Sequence, residues 1–177
     1  MARNTLSRAL HDLGLSAWFG GTLANAVALN AAAGAAGKDT GRVANEGWNR
    51  WTPVNAVAIG THLVGAVGQL IGNRSRVAQQ EGVASMSVGK TLLTAAALGA
   101  TAYSRSLGMV VNSQDNPSSR SGTKPTKRTK AEIAAAQEQL DTLQWVIPAL
   151  TGALVWVSSY AGEQQRPSEV LPGIARR

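Results

Sequence analysis

Two histidines, His11 and His62, are the only imidazoles in a 177-residue chain that has no cysteine. Disulfides, thiolate nucleophiles and cysteine metal sites are therefore excluded, as is a His-rich metal centre. Two imidazoles are enough to ligate one haem iron, so depth decides whether they can. His62 falls near the middle of an apolar stretch and His11 at the very edge of another. At 1.5 Å per residue the two would differ in depth by about 15 Å, which puts one iron beyond the reach of both in one protomer. His62 then reads first as a polar bundle residue bonded to a carbonyl or amide. An ionisable group at mid-membrane is also a functional candidate in its own right. Of the two, His11 has Asp12 beside it at the membrane edge, where a headgroup, a quinone ring or water would be the partner. With Trp18 one helical stripe further on, His62, His11 and Trp18 are the candidate cofactor-binding residues, for quinone, haem or lipid.

Other patterns carry less chemistry. Ala84 to Thr91 contains Gly89-Lys90-Thr91 and matches a relaxed phosphate-loop pattern. A working phosphate loop follows a buried strand, and the preceding Arg74–Gly82 stretch is polar, so a basic helix start is the better reading. No Ser/His/Asp motif is present, and no pair of carboxylates lies within the apolar stretches. The basic stretch from Arg120 to Lys130 lacks the interleaved aromatics of a nucleic-acid surface. The chain reads as a non-enzyme that does not bind nucleic acid.

The elements that must position these residues follow from charge placement. Charged residues make up only 15% of the chain, net +7, and they are gathered into blocks. Uncharged stretches run over 13–37, 51–73 and 142–162. Each is about 20 residues or more, enough to cross a hydrocarbon core of about 30 Å as a helix. A fourth stretch, 91–104, is too short alone, but snorkelling by Lys90 and Arg105 extends it to 86–111. The sequence thus predicts an all-α integral membrane four-helix bundle, a single membrane domain with spans at 13–36, 53–72, 86–111 and 142–162. Asn25, Asn30, Asn55, Gln69 and Gln144 would hydrogen-bond across helices. Gly20, Ala24, Ala28, Ala32 and Ala36 would form one packing stripe, and Gly68 with Gly72 a second close-approach pair within the bundle.

The connections are read likewise. Lys38 to Arg50, with Asp39 or Thr40 as N-cap and Glu46 four residues before Arg50, predicts a short interfacial helix whose Trp48 and Trp51 sit at headgroup level. Residues 112–130 read as a flexible basic loop and 163–177 as a polar surface tail. A capping box over Thr129–Glu132 would start a helical extension running into the last span, which Pro148 would kink. Arg74 and Arg76, directly after the second span, favour a plasma-membrane topology with both termini in the cytoplasm.

The opening from His11 through Trp18 to Gly20-Gly21 resembles the first helix of copper-resistance D-type four-helix membrane proteins. Over nearly its full length, with Trp51-Thr52-Pro53-Val54-Asn55 and Gly162 to Pro167, the chain resembles small uncharacterised four-helix membrane proteins of high-GC actinobacteria. The first resemblance implies a copper role. The chain departs from it in lacking cysteine and having only Met1, Met86 and Met109 as thioether donors. The second implies the fold and no activity. The function expected is an accessory or stabilising subunit of a larger envelope complex, plausibly respiratory, with membrane lipids and other membrane subunits as partners. A membrane ligand-binding protein and a small transporter are the alternatives.

Overall fold

A computed structural model describes residues 4–175, the side chain of Pro167 apart. Expectations resting on Arg3, Arg176 and Arg177 lie outside the described residues. The chain is all-helical. Helix α1 (Thr5–Ala24) passes through a π-helical turn (Asn25–Leu29) into α2 (Asn30–Ala35). There follow α3 (Thr40–Gly72), α4 (Arg74–Gln79), α5 (Val83–Val111), α6 (Ala131–Glu163) and α7 (Pro167–Ala175). Three helical segments are long and apolar enough to cross a membrane: Gly37–Gly72, Val83–Val111 and Ala131–Glu163. The first helix, expected as a span over 13–36, is not among them. It begins at Thr5, about two turns before the apolar run, and so takes in Arg8 and Asp12.

The long helices alternate in direction. Helix α1 packs on α3 and on α6, and α6 packs on α5, while α3 and α5 touch only sparsely. One apolar cluster takes a residue from each of the four: Leu15 and Trp18, Ala58, Ala97 and Leu154. A second joins Leu107 and Val111 to Ile133 and Ala136.

The α1–α3 seam is set by glycine. A Cβ on Gly14 would stand 2.4 Å from the His62 amide nitrogen, and one on Gly65 2.2 Å from that of His11. Gly68 and Gly72 meet Ser7 and Asn4 in the same way, so this pair works inside the chain. The Ala stripe expected on helix one does not pack. Gly20, Ala24, Ala28 and Ala32 are exposed, and the buried line is His11, Gly14, Leu15, Trp18, Thr22, Ala26, Asn30 and Ala33. In so Ala-rich a segment several faces offer small residues, and the bulky Trp18 and Leu15 choose among them by burying themselves.

The separate interfacial helix is also corrected. Helix α3 runs unbroken from Thr40 through Pro53. Proline there removes one hydrogen bond, to the Asn49 carbonyl. The Glu46–Arg50 ion pair forms on its surface at 2.6 Å. Helix α6 takes in the predicted extension, but Thr129 does not cap it: its hydroxyl bonds Ser118 and Thr126 instead. Residues 112–130, read as a flexible loop, are tied to α3. Asn45 donates to the Gln114 carbonyl at 2.9 Å, and Asn116 bonds both the Lys38 carbonyl and the Arg42 amide. Carbonyls and amides on both partners outweigh the loop-like composition. The tail folds as α7 against the α4–α5 turn, where Glu81 N–H donates to the Gly173 carbonyl and Gly82 takes φ +78°, a value suited to glycine.

Polarity is inverted relative to a protein folded for water. On α3, Asn55 and His62 are buried, while Val54, Val57, Val64, Val67, Leu70 and Ile71 are 53–69% exposed. Thr151 on α6 is fully buried and Trp156 on the same helix is 79% exposed.

Candidate ligand-binding site

The sequence-predicted residues come together. His11 and His62 are each 1% exposed, with ring centroids 4.5 Å apart, and the wholly buried Trp18 ring lies 6.1 Å from that of His62. The 15 Å depth difference inferred from the sequence is therefore wrong. It assumed that the two apolar runs are centred on one plane. The glycine seam pairs the start of α1, before its apolar run, with the second half of α3.

The imidazoles are anchored in one sense. His11 Nδ1 lies 2.7 Å from an Asp12 carboxylate oxygen and His62 Nδ1 3.3 Å from the His11 carbonyl. Both acceptors are oxygens without protons, which assigns the neutral tautomer with N–H at Nδ1 to each ring. Both Nε2 atoms are then lone-pair acceptors, buried and without a partner. A haem sandwiched between the two rings is ruled out for a different reason than depth: rings already in contact leave no room for a macrocycle. Among the described residues no three His, Cys, Asp or Glu side chains are grouped to hold a metal.

A larger feature lies elsewhere. Where α3 and α5 stand apart, a cleft of about 330 Å³ opens, with Thr22 of α1 and Ile147 of α6 also lining it. Its α3 wall carries Asn45, Trp48, Asn49, Thr52, Asn55 and Ile59, and its α5 wall Leu98, Thr101, Ala102, Arg105 and Gly108. Three lining residues hold buried polar atoms without a hydrogen-bond partner: Trp51 Nε1, Asn55 Oδ1 and Thr101 Oγ1. That set comprises a donor, an acceptor and a hydroxyl able to act as either.

One end of the cleft is closed by a polar network. Trp48 donates to Asn30 at 3.0 Å, Asn30 to Gln144 at 2.7 Å, and Gln144 to Asp141 at 2.8 Å. Thr123, from the connection before α6, donates to Asp141 at 2.7 Å. Asn49 and Asn112 bond each other at 3.2 Å and join the ends of α3 and α5. The cleft stays open because small residues (Ala56, Ala102, Gly108) face it, and a Cβ on Gly108 would meet nothing within 4 Å.

The sequence reading missed this site. It placed Trp48 and Trp51 at headgroup level, whereas both turn inward to line the cleft, with the Trp51 ring pressed onto Gly21. A signal was available. Residues 45, 48, 49, 52, 55, 56 and 59 recur at three- and four-residue steps, as do 98, 101, 102, 105 and 108. The phosphate-loop match dissolves, since Ala84–Thr91 is continuous helix and no strand precedes it. Neither a protein-family model, nor a curated protein, nor a solved structure matches this chain.

Proposed function

We propose that this chain is an integral membrane protein of the plasma membrane that holds an amphiphilic small molecule in the cleft between α3 and α5, without catalysing a reaction on it. The inverted polarity supports insertion. Apolar side chains this exposed along three long helices suit hydrocarbon, and the buried amides and imidazoles suit a bundle interior. In this reading α1 is a fourth, shorter span, covered on two sides by α3 and α6.

The observation that carries the ligand is the cleft itself. Its volume lies at the lower end of the range of small-molecule sites, about 300–1,000 Å³. Its wall is largely apolar and presents unpartnered polar atoms, a combination that fixes a ligand's position and orientation. This reading stands ahead of the accessory-subunit role because that role rests on absences.

The test is purification in a mild non-ionic detergent, followed by mass spectrometry of the intact protein and of its extracted small molecules. One amphiphile per chain is expected on the wild type and none on Gly108→Leu, which fills the cleft from a position with free space. Equal retention by both would overturn the cleft. A constant protein partner in stoichiometric amount, with no amphiphile, would restore the accessory-subunit reading.

A further inference from the structure

Arg105 is the only charged residue among those lining the cleft. Its guanidinium forms no ion pair or hydrogen bond among the described residues, where the side-chain ion pairs are His11–Asp12, Arg42–Asp39, Arg50–Glu46 and Arg166–Glu163. It sits well inside α5, and its neighbours Tyr103 and Met109 expose their apolar surface. The Asn49–Asn112 bond fixes the antiparallel register, which sets Arg105 level with Asn55 and Ala56 across the cleft. Thr101, one turn deeper, adds a hydroxyl.

A cation placed among apolar groups requires a counter-charge, and the cleft wall supplies no carboxylate. A guanidinium offers five donors in a planar fork that matches carboxylate or phosphate oxygens. Beyond Arg105 the wall turns apolar, with Ile59, Leu98 and Ile147. The volume of about 330 Å³ suits one chain rather than two.

We infer that the ligand is a single-chain anionic amphiphile, its carboxylate or phosphate set against Arg105 and its chain lying along Ile59, Leu98 and Ile147. This rests on the cleft reading proposed above. Trp51, Asn55 and Thr101 then orient the head by hydrogen bonds, while Arg105 supplies selectivity for charge. Tail length is limited by the Trp18 cluster, against which Ile59 and Leu98 pack.

The experiment is native mass spectrometry of the full chain in non-ionic detergent, titrated with four probes sharing an 18-carbon monounsaturated chain: oleate, lysophosphatidic acid, monoolein and dioleoylphosphatidylglycerol. Oleate or lysophosphatidic acid is expected to bind about tenfold more tightly than neutral monoolein, the scale of one charge-assisted pairing. Preference for oleate assigns a carboxylate, and preference for lysophosphatidic acid a phosphate. In Arg105→Gln the anions should fall to within about twofold of monoolein while helix content and melting stay unchanged, and Arg105→Lys should restore part of the preference. An undiminished preference in Arg105→Gln, or none in the wild type, overturns the inference and leaves the cleft standing if Gly108→Leu still loses all probes. Tightest binding by dioleoylphosphatidylglycerol overturns the single-chain assignment. Binding of every probe by Gly108→Leu as by the wild type removes the cleft reading as well.

Discussion

Helix α3 shows two ways for one helix to meet its neighbours. In its second half, around His62 and Gly65, α1 approaches until backbone touches backbone, and the histidine rings fill the remaining space. In its first half, from Asn45 to Ile59, α5 stands off and leaves a cleft walled by indole, amide and hydroxyl groups. The seam has glycine on both helices. The cleft has tryptophan on one wall and small residues on the other, so neither bulk nor close approach fills it. Close packing and an open site thus lie end to end on one rigid element, which suits a site whose walls must keep their spacing.

Substitution can break this contrast, most severely at the seam. Gly65→Leu forces a side chain into the His11 backbone and should lower stability by about 3 kcal/mol or more, seen as loss of the folded species in detergent unfolding. Next in size, Asn30→Leu strips Trp48 and Gln144 of their partner and should cost about 2 kcal/mol, with ligand retention weakened because this network closes one end of the cleft. Trp51→Phe removes a buried N–H that has no partner within the chain. Melting should then hold or rise slightly while amphiphile affinity drops several-fold, by about 1 kcal/mol. A fall in both would mark Trp51 as a packing residue only. Smallest of all, Gly20→Ala should change stability by less than about 0.5 kcal/mol, since its Cβ would meet open space. A large loss there would revive the Ala stripe as a contact face.

Length and charge placement made the long helices legible, including the extension of α6 from Ala131 and the reach of α5 from Val83 to Val111. Segregated charge is a property of sequence alone, so it survives without knowledge of neighbours. Register is not such a property. The level of His11 depends on α1 starting at Thr5 and on which glycines interlock with α3, and both are settled by tertiary contact. The packing face of helix one was hidden because its small residues fit several phases. Trp48 and Trp51 were misplaced because an interfacial anchor and a cleft wall draw on the same residue type, and only the periodic recurrence of Asn45, Asn49, Thr52 and Asn55 beside them tells the two apart. The connection over 112–130 looked mobile because its partners, Lys38, Arg42 and Asn45, are distant in sequence.

The π-helical turn at Asn25–Leu29 bears on how this chain can diverge. Its wider winding keeps Trp18, Thr22, Ala26 and Asn30 in line at steps of four residues, where a regular α-helix would drift. The turn therefore acts as a one-residue spacer between two phases of the same helix. Removing any one of its residues restores ordinary winding and swings everything beyond it by about 100°. Asn30 then leaves Gln144 and Trp48, although every residue that lines the cleft is retained. Relatives that keep the cleft should accept changes of residue type across this turn far more readily than a change in its length.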